Sequence, residues 1–201
     1  MLAIVAPMTK HVLIIDGHPD PEPQRFVHAL AEAYASAARE AGHEIRLVRL
    51  SAMTFDLLRS NRDYKHGEAP EAIVGVQNAI SWSNHIVVLF PLWLGAMPAL
   101  LKGLLEQSLR PGFAFAYADG KGLPKKRLKG RSVRIVATMG MPALVYRWYF
   151  RAHSLKSLQR NILRFVGFGP IRTSIVGNVE GSAKARERWL DRIRRYGRAA
   201  N

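Results

Sequence analysis

No cysteine occurs among the 201 residues, which excludes disulfides, thiolate nucleophiles and thiolate metal sites together. Two phosphate-cradling signatures are also missing, since neither G-x-x-x-x-G-K-[ST] nor G-x-G-x-x-G can be found. No serine–histidine–acid or paired-carboxylate arrangement is evident, and the histidines lack metal-like spacing, which argues against a hydrolase. Long apolar runs are absent. The uncharged stretch Ile86–Leu101 is too short for a bilayer and contains Pro91, Gly95 and Pro98, so it reads as strand, loop and helix start. Met1–Met8 is apolar with no preceding positive charge, so it reads as a loose extension rather than a secretory signal, and a cytoplasmic location is expected.

Acidic residues are scarce. Fifteen Asp and Glu stand against 30 Lys and Arg, a formal net charge of +15. Such a field attracts phosphates, nucleic acid and acidic membrane surfaces without choosing among them. Hydrophobic residues at 48% and charged residues at 22% are ordinary for a folded globular chain. No repeat or linker divides it, so we expect an extension over 1–10 and one domain over 11–201.

Strands and helices alternate along the chain. His11–Asp16, Ile45–Leu50, His85–Phe90, Ser132–Thr138 and Ile171–Ile175 are short runs rich in apolar and β-branched residues, as buried parallel strands require. Helices are predicted over Phe26–Ala41, Ala72–Ser83, Pro98–Gln107, Tyr146–Phe165 and Ser182–Tyr196. Met53–Pro70 reads as irregular, and Phe113–Arg131, with its glycines and basic residues, reads as an excursion from the core. The alternation implies an α/β fold with a doubly wound, five-stranded parallel sheet and helices on both faces. In the flavodoxin-like strand order a ligand crevice lies beyond the carboxyl ends of the strands.

The loops after strands one, three and four are unusual. Gly17-His18-Pro19-Asp20-Pro21-Glu22-Pro23-Gln24-Arg25-Phe26 leads into a helix N-terminus, where free amides favour an anion and Arg25 can add a bidentate contact. Taken alone it is equally a proline-stiffened surface turn. Phe90-Pro91-Leu92-Trp93-Leu94-Gly95-Ala96-Met97-Pro98 is apolar where a strand end meets solvent, which suits a flat aromatic ligand or, alternatively, a covering subunit. Thr138-Met139-Gly140-Met141 is again small and apolar, and Tyr146, Trp148, Tyr149, Phe150 and His153 follow it. Helical spacing places Tyr146, Tyr149 or Phe150 and His153 near one face, where an aromatic stripe is more often core than cavity.

Gly-His-Pro-Asp after strand one, Phe-Pro-Leu-Trp-Leu-Gly-Ala-Met-Pro-Ala-Leu-Leu-Lys-Gly at 90–103 and Phe-Ala-Phe-Ala-Tyr at 113–117 together resemble the NAD(P)H:quinone oxidoreductase (DT-diaphorase-like) branch of flavodoxin-like flavoproteins. The resemblance runs from about His11 to Gly177. It implies a homodimeric enzyme with bound flavin, FAD or FMN, which passes hydride from NAD(P)H to a quinone or similar small acceptor. By position, His18, Arg25 and Phe26 would hold the phosphate side. Pro91, Leu92, Trp93, Leu94, Gly95, Thr138, Met139 and Gly140 would line the isoalloxazine, with Tyr146 and His153 as the catalytic pair facing the acceptor. The chain departs from the family where a Ser/Thr-Phe-Asn type turn is replaced by Gln24-Arg25-Phe26-Val27, and where Thr-Thr-Gly-Gly becomes Ala137-Thr138-Met139-Gly140.

Two basic clusters remain: Lys121, Lys125, Lys126, Arg127, Lys129 and Arg131, and Arg186, Arg188, Arg192, Arg194, Arg195 and Arg198. The second is expected to be a solvated face opposite Trp189, Leu190 and Ile193 rather than a nucleic-acid surface, since no nucleic-acid-binding signature accompanies it. A peripheral membrane or acidic partner is compatible with these charges. So is a regulatory subunit of a membrane transport system on the same fold.

Overall fold

A parallel sheet forms from five short strands, of which the central three are buried on both faces and the edge strand after the first helix is not. In the computed structural model, which describes residues 9–117 and 124–201, these are His11–Asp16 (β1), Glu44–Arg49 (β2) and His85–Pro91 (β3), then Ser132–Thr138 and Ile171–Val176. A separate antiparallel pair, Phe115–Ala116 (β4) with Lys125–Lys126 (β5), precedes the last two, which are therefore β6 and β7. The sheet order is β2-β1-β3-β6-β7, all parallel. This is the doubly wound, flavodoxin-like order expected from the alternation.

Alternate side chains of each strand enter two cores, as the two-residue strand period demands. Val12, Ile14, Val87, Leu89 and Val136 meet Phe26–Glu40 (α1) and Ala183–Ala199 (α8) on one face. Leu13, Ile15, Ile86, Val88, Phe90 and Ile135 meet Glu71–Trp82 (α3) and Ala99–Ser108 (α4) on the other. Trp189, Leu190 and Ile193 of α8 pack towards α1 while Arg188, Arg192, Arg195 and Arg198 stay exposed, as the helical spacing predicts.

Three predicted segments are redrawn. Met53–Pro70 is not wholly irregular, because Asn61–His66 (α2) forms a short helix whose Ser60 hydroxyl accepts the Asp63 amide at 3.0 Å. Tyr146–Phe165 is not one helix. Ala143–Trp148 (α5) ends before Arg151 and Ala152, which both lie in the left-handed region at φ 51° and 50° and turn the chain. His153–Ser157 (α6), a π-type stretch over Leu158–Leu163 and Arg164–Val166 (α7) follow. The excursion at 113–131 contains the small β4–β5 pair. The extension Met1–Met8 and Lys121 of the first basic cluster lie outside the described residues.

Candidate functional site

β1 and β3 are neighbours, yet the chain leaves β1 for β2 on one side and continues from β3 to β6 on the other. The carboxyl ends of β1 and β3 thus form the switch point at which open α/β sheets bind ligands. Gly17 closes the first turn tightly. Its amide donates to the Leu89 carbonyl at 2.7 Å, and a Cβ there would stand 2.8 Å from that oxygen. The turns after β3 and β6 are tied directly, since the Leu92 amide donates to the Thr138 carbonyl at 2.7 Å. The loop after β7 joins them: Val179 N donates to Met139 O at 3.2 Å and Asn178 N to Met141 O at 3.2 Å.

These turns enclose a cavity of about 570 Å³. His18, Arg25 and Phe26 form one end of its lining, Pro91, Leu92 and Trp93 one wall, and Thr138, Met139 and Gly140 the other. Nine sequence-predicted residues therefore share one space. Leu94 and Gly95 do not reach it. They form the tip of the β3 turn, where Trp93 and Ala96 bridge across and Leu94 is fully exposed. Nor do Tyr146 and His153 line it. The Tyr146 side chain is buried with its hydroxyl 2.6 Å from the Ser154 hydroxyl, and His153 starts α6 on the exposed surface. The left-handed pair Arg151–Ala152 breaks the helical register that had placed the two on a common face.

One end of this cavity carries basic side chains and the start of α1. Arg25 caps α1 without a side-chain hydrogen bond to the helix start, and the first turn has no acidic residue, so the helix N-terminus is open to an anion. His18 is buried and its Nδ1 accepts the Asp20 amide at 3.1 Å, which leaves the ring proton on Nε2. Burial first, and the neighbouring His28 second, hold its pKa below the usual histidine value.

The other end fits a flat ring. Trp93 is half exposed on an apolar turn, and a Cβ built on Gly140 would meet nothing within 4 Å, so that wall is open to a planar guest. A volume in the hundreds of Å³, with polar groups such as His18 and Arg25 at one end and the apolar Pro91, Leu92 and Met139 on its walls, matches small-molecule and cofactor sites.

Residues 10–200 match a family model described as Flavodoxin-like fold. The chain belongs to this family. Among its flavodoxin-like relatives, NAD(P)H dehydrogenase [quinone] 1 of Rattus norvegicus is 26% identical, over 92% of this chain and 76% of the relative. A protein of Haemophilus influenzae named as an uncharacterized NAD(P)H oxidoreductase is also 26% identical, over 83% of each chain. Among solved structures, the NAD(P)H:quinone oxidoreductase from Methanothermobacter marburgensis superposes with a TM-score of 0.83 at 25% identity, covering 96% of this chain and all of that one.

The flavodoxin-like site contains groups that the sequence did not single out: Gln24, Val179, Glu180 and Arg186 also line the cavity. Arg186 had been grouped with the solvated arginines of α8. It lies in the first turn of that helix, however, where it donates to the Val179 carbonyl at 3.3 Å and the Gly181 carbonyl at 2.6 Å and so faces the strand ends. A Ser182 cap followed by arginine just beyond a strand was the available signal, because a helix start after a strand points at the crevice.

Gly177 allows the β7 loop to close against the β6 turn. A Cβ there would meet the Ala143 amide and stand 2.8 Å from the Met141 carbonyl, both rigid backbone. Gly177→Ala is therefore expected to cost about 2 kcal/mol of stability, a typical overpacking penalty, and to weaken ligand binding by displacing the 139–141 wall. Urea unfolding compared with wild type checks it, and an unchanged midpoint refutes the tight closure.

Proposed function

We propose that this chain is a flavin-dependent oxidoreductase that takes hydride from NAD(P)H and delivers it to a quinone or a similar small acceptor. One observation carries the reading: a single crevice at the switch point joins an uncapped, arginine-flanked helix start to an apolar turn bearing Trp93. The names of the rat and Methanothermobacter relatives support the same chemistry. FMN or FAD bound there supplies the hydride-transfer centre. His18, Arg25, Arg186 and the first amides of α1 hold the phosphate. Pro91, Leu92 and Trp93 on one side and Thr138, Met139 and Gly140 on the other bear the ring and exclude water from it.

Leu94 and Gly95 shape the mouth. Tyr146 packs α5 into the core. Two copies are inferred to associate through the exposed Leu144, Val145, Trp148 and Tyr149, an apolar patch that a partner would cover.

Purified protein should be yellow and dimeric, bleach when NADH or NADPH is added without oxygen, and recolour with a quinone. Colourless protein that instead retards DNA in a salt-dependent way would replace this reading with a nucleic-acid one. Flavin bound without turnover over many quinones would favour a regulatory subunit.

A further inference from the structure

Beneath the phosphate end of the site lie two ionisable groups, Asp16 and His28, to which the proposed function gives no role. Asp16 ends β1 with its carboxylate buried. One oxygen stands 2.5 Å from His28 Nδ1 and the other accepts the His18 amide at 3.3 Å. His28, on the first turn of α1, directs Nε2 at the Asp20 carbonyl, 2.9 Å away. Asp20 in turn donates its amide to His18 Nδ1 at 3.1 Å and holds Arg25 through Oδ2 at 2.6–2.7 Å.

We propose that Asp16 and His28 are a hydrogen-bonded pair that positions His18 as a neutral Nε2–H donor to the ligand's phosphate. The inference rests on the flavin reading above and assigns the pair a role in it. The hydrogen-bond inventory carries the argument. His28 Nε2 faces a carbonyl and must donate to it, while Nδ1 meets the Asp16 carboxyl group, so the ring ties the end of β1 to the loop that carries Asp20. His18 has the opposite constraint. Its Nδ1 must accept, so Nε2 carries the proton, and Nε2 is the ring's remaining polar atom in a side chain that lines the cavity.

The two rings are 5.3 Å apart, so the charge on one opposes a second charge on the other. Among the described residues, the groups that face His18 are Asp16 from β1, Asp20 from its own loop, His28 from α1 and the Trp93 ring edge-on at 5.8 Å. Arg186 and Glu180 line the same cavity. The loop carries three prolines and no regular structure, and this network ties His18, Asp20 and Arg25 together. His28 and Asp16 thus act through His18 and are positioning residues.

Imidazole ¹⁵N spectra of the protein, recorded over pH with and without FMN, test this. At pH 7 His18 should show a neutral ring protonated at Nε2, and His28 a proton on Nε2. His28→Gln should move the His18 titration upward, towards the ordinary 6.5, and weaken FMN about tenfold through loss of a charge-assisted support.

A His18 midpoint unmoved by His28→Gln, with FMN weakened all the same, would reduce the pair to a structural prop and overturn the proposal. A His18 ring protonated at Nδ1 in the wild type would also overturn it, without any variant having to fold. The expected tautomers in a protein that binds no FMN would leave the pair standing and remove the flavin reading instead.

Discussion

The double variant Arg25→Gln/Arg186→Gln is expected to bind FMN on the order of a hundredfold more weakly, about 3 kcal/mol, while keeping its fold. The two guanidinium groups reach the cavity from different helices, Arg25 at the cap of α1 and Arg186 in the first turn of α8. A hydrogen bond from a charged donor contributes about 1.5–3 kcal/mol, and the lower end applies because the Arg25 side chain is half exposed. Arg25 is held by Asp20, so phosphate must compete with that carboxylate for it. That competition limits the contribution of Arg25 and predicts that Arg186→Gln is the more damaging single change. Titration of flavin fluorescence at several salt concentrations checks both points. The double variant should also show a shallower salt dependence, since two cations no longer meet the phosphate. A loss of threefold or less would place the phosphate elsewhere.

The sheet and its order were legible because burial on both faces leaves a pattern that little else produces. His85–Phe90 has no polar residue after the first, and parallel neighbours buried on both sides need such runs. The walls of the cavity were legible for a related reason: an apolar turn such as 91–95 is costly at a strand end unless something covers it. What escaped was whatever depends on a single backbone torsion. Arg151 and Ala152 in the left-handed region separate Tyr146 from His153, and no glycine or proline marks that break. Arg186 escaped because composition groups it with its neighbours on α8, whereas only its position in the first turn directs it to the strand ends. The Asp16–His28 pair was hidden by sequence distance, twelve residues spanning a strand end, a proline-rich loop and a helix start.

Acidification should destabilise this protein through a histidine far from the flavin site. His85 opens β3 with a fully buried ring, its Nδ1 is 2.7 Å from the Ser132 hydroxyl, and Nε2 has no partner among the described residues. Burial, and then the positive charges of Lys10, Arg134, Arg172 and His43, push its pKa down to about 3. The unfolded chain takes up that proton near pH 6.5 and the folded one does so only near 3. The stability held by the neutral ring is therefore fully present above about pH 6.5 and is lost as the pH falls towards 3. By pH 4 the loss should be on the order of 3 kcal/mol, a large share of a typical domain's stability.

Urea unfolding of wild type and His85→Gln between pH 7 and 4 measures the loss, because glutamine can still reach Ser132 but cannot ionise. The variant's profile should be flatter over that window, and an identical slope would assign the acid sensitivity to other groups. Because His85 sits at the amino end of the sheet and His18 at the carboxyl end, the two histidines separate by readout. Flavin released together with loss of secondary structure follows His85. A change in flavin affinity while the fold is intact follows His18.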